Sequence, residues 1–207
     1  MLLPTLIIID DFFDDPLAVR NMALALEYEA KNKQTNNYPG RVSVAPLALP
    51  LLDGQISEIL QTKVTGAEGT VHGHCRITLG DDRGRSGVHA DPTLYSGILY
   101  LSLPEHCRGG TEFFRHRRTG LERIPTDIIQ LARTGYADVS DLVNDVINKD
   151  TLSPSKWERT LRVPMRFNRL ILFNPRLFHN SGEAFGKTME TGRLVQLLFF
   201  DMASEGV

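Results

Sequence analysis

A histidine and an aspartate stand two residues apart in the segment SGVHADPTLYSGILYLSL, at His89 and Asp91. In a β-strand alternate side chains point to the same face, so both groups would share one side of a sheet. Neutral imidazole and carboxylate together suit a divalent transition metal. Taken alone, the pair is more simply interpreted as polarity at a strand edge. A metal site would need a third ligand from elsewhere in the chain.

The candidate third ligand is His179, which ends the apolar segment NRLILFNPRLFHNSG. Further along, Arg193 begins the apolar strand GRLVQLLFFD. A buried guanidinium is costly without an anionic partner, and the carboxylate of a ligand would pair with it in bidentate geometry. Two histidines and one carboxylate also match the facial arrangement that leaves three positions of Fe(II) open. The alternative for Arg193 is a structural ion pair with Glu183 or Glu190.

The N-terminal part of the chain predicts a strand and two helices. Residues 5–9 are rich in β-branched side chains and predict a strand. A helix follows, with Asp14 or Asp15 as its cap and Pro16 at its first position. Residues 50–64 predict the second helix.

From Thr70 onward, short β-branched and aromatic runs alternate with Gly, Pro and Asn, which is typical of an antiparallel barrel or sandwich. The exception is 115–165, where the pattern predicts two helices with caps at Thr126 and at Ser140 or Asp138. An insertion of this kind either covers the mouth of a site or is a packed excursion.

The length of 207 residues predicts one domain. Residues 1–69 form its N-terminal α/β support in this interpretation. Residues 70–114 and 166–201 supply jelly-roll strands, and 115–165 is the helical insertion between them.

Composition excludes several classes of partner. The formal net charge is −2, which provides no strong field for nucleic acid or an anionic membrane. Two cysteines, Cys75 and Cys107, make neither a zinc motif nor a disulfide framework. The N-terminus lacks the basic region of a signal peptide, and no window is long enough for a membrane span. We therefore expect a cytoplasmic protein with a small-molecule partner; the sequence does not indicate its oligomeric state.

The remaining histidines have simpler interpretations. His72 and His74 form a His-x-His pair, but no Glu follows at a suitable spacing, so they are interpreted as strand polarity. His106 and His116 lie in polar stretches and are expected to be solvated. The basic run RHRR at 115–118 is interpreted as a solvated face, or as an attractor of anions if it lies near a site.

Five segments, taken in order, resemble the 2-oxoglutarate/Fe(II)-dependent oxygenases, especially their prolyl-hydroxylase-like branch. The segment HAD matches the His-x-Asp motif of the family, and SGILYLS resembles its strand ending in Tyr-Leu-Asn, with Ser102 for Asn. CRGGTEFF resembles its Gly-Gly-x-x-x-Phe turn and strand. NRLILFNPRLFHNSG and GRLVQLLFFD resemble the strands with the distal His and the Arg. The resemblance runs from Val88 to Asp201.

The resemblance implies a mainly β fold with α-helices: a double-stranded β-helix (jelly-roll) core, N-terminal helices and a helical insertion between core strands. It implies that His89, Asp91 and His179 bind Fe(II) and that Arg193 anchors 2-oxoglutarate. Tyr100 matches a position that helps to hold the same distal carboxylate, although simple core filling is the alternative. The implied reaction is the hydroxylation of a small-molecule or amino-acid-type substrate with dioxygen, releasing succinate and carbon dioxide, with ascorbate as a stimulating additive.

Two positions depart from the family pattern and concern contacts with the co-substrate. Ser86 stands where some relatives carry Tyr, and Val195 stands where many carry Ser. Two other functions stay open at this point. One is a cupin-like metalloenzyme that does not use 2-oxoglutarate, against which Arg193 argues. The other is a non-catalytic metal-binding or sensor domain of the same fold.

Overall fold

The computed structural model describes residues 4–30 and 37–203 and shows a mainly β protein. The elements in chain order are β1 (Leu6–Ile9), α1 (Pro16–Leu24), β2 (Arg41–Pro46), α2 (Leu52–Leu60), β3 (Val64–Gly66), β4 (His74–Thr78), β5 (Tyr95–Tyr100), β6 (Gly110–His116), α3 (Ile128–Ala132), α4 (Val139–Leu142), a π-helical turn (Val143–Asn148), a 3₁₀ turn (Pro154–Lys156), β7 (Trp157–Pro164), β8 (Leu170–Phe173), β9 (His179–Asn180) and β10 (Arg193–Met202). Among the described residues, no helix has the length and apolarity needed to cross a bilayer.

The strands form two antiparallel sheets. The larger sheet has the order β1-β8-β5-β10-β4-β2, with β3 paired to β10. The smaller sheet has the order β7-β6-β9. The long strand β10 lies between β5 and β4 in the larger sheet, so Arg193 at its start is surrounded by paired strands.

The larger sheet is covered on both faces. Leu194 and Leu198 of β10 belong to a core that includes buried residues of α1 and α2. Val195 and Leu197 belong to a second core, which also contains Phe113 of β6 in the smaller sheet. Successive side chains of a strand point to opposite faces of the sheet, so a strand with a packed layer on each side contributes alternate residues to two cores. The helices therefore pack on one face, and the smaller sheet packs on the other.

The predicted N-terminal elements are confirmed. The strand β1 lies within 5–9, and α1 begins at Pro16 after Asp15, whose side chain accepts a hydrogen bond from the Ala18 amide at 3.0 Å. The second helix, α2, is shorter than predicted. It ends before Gln61, which adopts a left-handed conformation (φ 51°).

The segment 115–165 is not helical throughout, which corrects the sequence prediction. Its helix α3 is capped by Asp127 and not by the predicted Thr126. Its helix α4 is capped by Asp138, which confirms the alternative to Ser140. Trp157–Pro164 forms β7, which pairs with β6. This strand was missed because it lies at the edge of its sheet with most of its side chains exposed, so its sequence shows charges where an interior strand would show apolar residues.

The helical part of the insertion has a small core of its own. Leu142, Val146 and Ile147 pack with Val88, which precedes the His89–Asp91 pair, and with Phe178, which precedes His179. The insertion is therefore anchored next to both segments that carry the predicted ligands.

Candidate metal centre

The three predicted ligands meet in space. Ligand atoms of His89, Asp91 and His179 all lie within 4.8 Å of one another. His89 Nε2 is 3.7 Å from Asp91 Oδ1, and His179 Nε2 is 3.4 Å from Asp91 Oδ2. Groups that bind one ion at about 2.1 Å lie at most about 4.2 Å apart. The set therefore fits a single transition-metal ion with only small side-chain adjustments.

Backbone hydrogen bonds hold the two ligand segments together. The amide of His89 donates to the carbonyl of His179 at 2.9 Å, and the amide of His179 donates to the carbonyl of His89 at 2.9 Å. The amide of Asp91 donates to Pro175 at 2.9 Å. The sequence predicts a strand at the His89–Asp91 pair, but the structure has only an isolated β-bridge there, between His89 and His179. This bridge places the pair opposite the third candidate ligand.

Both imidazoles are oriented by a carbonyl group. His89 Nδ1 lies 2.9 Å from the Gly87 oxygen, and His179 Nδ1 lies 2.7 Å from the Leu177 oxygen. A carbonyl oxygen only accepts hydrogen bonds, so each Nδ1 carries the proton and each Nε2 keeps its lone pair. This is the usual way in which a second hydrogen bond fixes a metal-binding tautomer.

The electrostatics favour the protonation states that bind metals. Burial, together with the neighbouring His179, lowers the pKa of His89 to about 4, so this ring is neutral at neutral pH. Burial alone would raise the pKa of Asp91, but the two histidines and the hydroxyl of Ser96, at 2.6 Å, lower it below its ordinary value. The site therefore presents a carboxylate and at least one neutral imidazole.

The predicted anion anchor lies in the same cavity of about 170 Å³. Arg193 is 2% exposed, and its Nε and Nη2 have no hydrogen-bond partner among the described residues. Burial lowers the pKa of its guanidinium below the ordinary value. Within the described residues it forms no ion pair with Glu183 or Glu190, so the structural ion pair considered from the sequence is not found.

Tyr100 lies behind the cavity wall. Its side chain is fully buried, and its hydroxyl accepts a hydrogen bond from the Thr111 amide at 3.0 Å and lies 2.8 Å from Thr111 Oγ1. Thr111 lines the cavity, whereas Tyr100 is not among the lining residues. Core filling, the alternative for Tyr100, describes this position better than direct contact with a ligand does.

Sequence reasoning missed two residues of the cavity, Arg76 of β4 and Tyr38. The Arg76 guanidinium lies 5.2 Å from the centroid of the Tyr38 ring, which in turn lies 4.6 Å from the centroid of the His89 ring. An arginine within the short strand HCRIT is the same signal that identified Arg193, and it would have identified Arg76. Tyr38 lies in a polar segment, and its sequence carries no comparable signal.

A second cavity, of about 400 Å³, opens beside the first and shares Tyr38 and His89 with it. The insertion supplies much of its wall, and Arg85 and Ser86 belong to the opposite side. The residues contributed by the insertion are Ile124, Val143, Ile147, Asn148 and Thr151. We call the two spaces the inner and the outer cavity.

Comparison with known proteins places the chain in a family and in a fold class. It matches the DUF6445 model, described as a family of unknown function, over residues 4–200, and it belongs to that family. No curated protein matches the chain significantly in sequence.

Solved structures show the fold. HygX from Streptomyces hygroscopicus, with nickel and 2-oxoglutarate bound, is 14% identical at a TM-score of 0.51; the alignment covers 97% of this chain and 84% of HygX. A prolyl hydroxylase from Trichoplax adhaerens, in complex with a hypoxia inducible factor peptide, is 14% identical at a TM-score of 0.50, with 95% and 84% covered. The chain has the fold of the 2-oxoglutarate/Fe(II)-dependent, prolyl-hydroxylase-like oxygenases, as the resemblance predicted.

Proposed function

We propose that the protein is an Fe(II)- and 2-oxoglutarate-dependent oxygenase that hydroxylates a small-molecule or amino-acid-type substrate. One observation carries the proposal: two histidines, one carboxylate and a buried guanidinium without an anion converge on a single cavity. The ligand set suits Fe(II) with positions left open. The guanidinium suits the distal carboxylate of 2-oxoglutarate, which it would bind in bidentate geometry.

The fold comparison supports this co-substrate. HygX, whose alignment covers nearly all of this chain, has been solved with nickel and 2-oxoglutarate bound. We also assign the two facing sheets to the two halves of a double-stranded β-helix. The core shared by the sheets and the bridge between His89 and His179 support this assignment.

The residues of the inner cavity have separable roles in this proposal. His89, Asp91 and His179 hold the metal ion, and Ser96 orients the Asp91 carboxylate. Arg193 binds and orients 2-oxoglutarate. Iron(II) with 2-oxoglutarate and dioxygen supplies the oxidising chemistry, in which one oxygen atom enters the substrate and succinate and carbon dioxide are released.

The outer cavity is the proposed site of the primary substrate. It reaches the metal centre at His89, and the insertion walls it, so the insertion would shape substrate specificity. Its residues Arg85, Asn148 and Thr151 offer hydrogen-bond donors and acceptors beside apolar Val143 and Ile147, a mixture typical of sites for small molecules. HygX has also been solved with hygromycin B bound, which is consistent with a small-molecule partner.

Succinate formation tests the proposal against the two alternatives. The purified protein is incubated in air with Fe(II), ascorbate and 2-oxoglutarate, and succinate is quantified by mass spectrometry. We expect slow succinate release without added substrate, and release at the background level for His179→Ala. A cupin-like metalloenzyme and a sensor domain would both give only background release with the wild-type protein, and that result would contradict the proposal.

A further inference from the structure

The inner cavity contains a second guanidinium that the proposed function has not used. Arg76 lies on β4 and Arg193 on β10, and these strands are paired, with Arg76 opposite Val195 and Thr78 opposite Arg193. Positions 76 and 78 of β4 share one face of the sheet, as do positions 193 and 195 of β10. Both arginines line the inner cavity.

Arg76 is charged and incompletely paired. Burial lowers its pKa to about 10, so it remains a cation at neutral pH. Its Nε has no hydrogen-bond partner among the described residues. The carboxylates of Asp91 and Glu29 favour its charged form, but Asp91 is a proposed metal ligand and Glu29 does not line the cavity. The buried Nε of Arg76 therefore leaves a hydrogen-bond donor for an anion that enters the cavity.

The two arginines have different surroundings within the cavity. The Asp91 carboxylate favours the charged form of Arg76, whereas the Arg193 guanidinium lies 5.9 Å from the centroid of the Tyr100 ring. Tyr38 also connects Arg76 to the metal centre, because its ring contacts both the Arg76 guanidinium and His89. Arg76 is therefore the guanidinium nearer to the metal, and Arg193 is the more distant one.

Charge balance points to a ligand with two carboxylates. With a divalent metal ion bound, the inner cavity would hold that charge and the positive charges of Arg76 and Arg193, against the negative charge of Asp91 among its lining residues. 2-Oxoglutarate has one carboxylate beside its keto group, which is the end that binds a metal, and a second at its far end.

We propose that Arg76 is a second anchor of the co-substrate and binds the carboxylate beside the keto group, while Arg193 binds the distal carboxylate. This inference rests on the proposed function. It makes Arg76 a positioning residue for the end of the co-substrate that reacts. It also predicts that the protein retains affinity for 2-oxo acids that lack the distal carboxylate.

Two ligands separate the roles of the two arginines. The first is 2-oxoglutarate, and the second is 2-oxobutyrate, which keeps the 2-oxo carboxylate but has no distal carboxylate. Each is titrated calorimetrically into Ni(II)-loaded protein without oxygen. The variants are Arg76→Gln, Arg76→Lys and Arg193→Gln. The control is Arg83→Gln, because Arg83 is an exposed arginine near β4 that binds the backbone carbonyls of Gly80 and Asp82 and lines neither cavity.

We expect Arg76→Gln to weaken both ligands by about ten- to a hundredfold, the range for a hydrogen bond to a charged group. Arg193→Gln should weaken 2-oxoglutarate by a similar factor and leave 2-oxobutyrate unchanged. Arg76→Lys should be intermediate for both ligands, because it keeps the charge and loses the forked geometry. Arg83→Gln should bind both as the wild type does.

Unchanged binding of both ligands by Arg76→Gln would overturn the proposal, because Arg76 would then bind neither carboxylate of the co-substrate. Loss of 2-oxoglutarate alone would also overturn it, since Arg76 would then serve the distal carboxylate. Ni(II) affinity and the far-ultraviolet circular dichroism of each variant report on folding, and Arg76→Lys provides the same test if the glutamine variant is unstable. If the wild-type protein binds Ni(II) but neither 2-oxo acid, the proposed function itself fails.

Discussion

Two of the histidine–aspartate clusters among the described residues, the candidate metal centre and the pair His116–Asp150, differ in the contacts of their ring nitrogens. In the second cluster, His116 is fully buried. Its Nε2 lies 2.9 Å from Asp150 Oδ2, and its Nδ1 lies 3.0 Å from Thr119 Oγ1. Its ring packs at 4.9 Å from the Trp157 ring. Both nitrogens are thus engaged within the protein, and none is available to a metal.

The candidate metal centre has the opposite arrangement. In His89 and His179 one nitrogen donates to a carbonyl, and the other faces a carboxylate across a cavity. Residue type and burial therefore do not separate a candidate ligand from a structural histidine. The number of ring nitrogens that are already satisfied does.

The largest expected effect is on stability, at the structural cluster. His116→Ala removes a buried ring, leaves Asp150 without its partner and should lower the free energy of unfolding by about 3 kcal/mol. The Fe(II) affinity of the folded variant should stay within about twofold of wild type, because the cluster lies outside the metal centre. Urea unfolding and anaerobic calorimetry measure the two quantities. A loss of Fe(II) binding in folded His116→Ala would contradict the distinction between the clusters.

The next effect is on metal affinity. Each of His89→Ala, Asp91→Ala and His179→Ala removes one of three protein ligands and should weaken Fe(II) by at least about a hundredfold, since even the loss of a residue supporting a ligand costs about ten- to a hundredfold. Anaerobic titration calorimetry measures the affinity, with His116→Ala as the matched histidine control. Unchanged affinity in all three variants would show that the metal centre is assigned wrongly.

The same comparison shows how far the sequence predicts the molecule. The three proposed ligands were predicted from the resemblance of five ordered segments, and Arg193 also from its place in an apolar strand; the structure brings all four into one cavity. The solvated interpretation of His116 was wrong. The run RHRR suggests one polar surface, but it lies in and just after strand β6, where successive side chains point to opposite faces. The partner of His116, Asp150, is also distant in sequence, so no local pattern indicates the pair. All three arginines of the run are exposed; Arg115 pairs with Glu122, and Arg118 pairs with Asp145.

Arg193 allows a sharper test within the inner cavity. Arg193→Met removes the proposed anchor of the distal carboxylate and should weaken 2-oxoglutarate by about ten- to a hundredfold. Arg193→Lys should be intermediate because it keeps the charge but not the fork. Fe(II) affinity should hardly change in either variant. Equal 2-oxoglutarate affinity in Arg193→Met and wild type, measured at saturating Fe(II), would make Arg193 a structural residue.

The smallest expected effect concerns Tyr100. Tyr100→Phe removes the hydroxyl that accepts the Thr111 amide and should cost about 1 kcal/mol of stability. Because Thr111 stands between Tyr100 and the cavity, 2-oxoglutarate affinity should change less than it does in the Arg193 variants. Thermal unfolding and calorimetry check the two effects. A loss of affinity as large as that of Arg193→Met would restore the direct role that the family resemblance implied for Tyr100.

The most direct test of the central claim is the visible charge-transfer absorption that forms when 2-oxoglutarate joins Fe(II) at such a centre. The wild-type protein is loaded with Fe(II) without oxygen and titrated with 2-oxoglutarate. We predict a saturable band in the wild type and in folded His116→Ala, and none in His179→Ala. A wild-type protein that binds Fe(II) but develops no band at saturating 2-oxoglutarate would contradict the assignment of this cavity to an oxygenase.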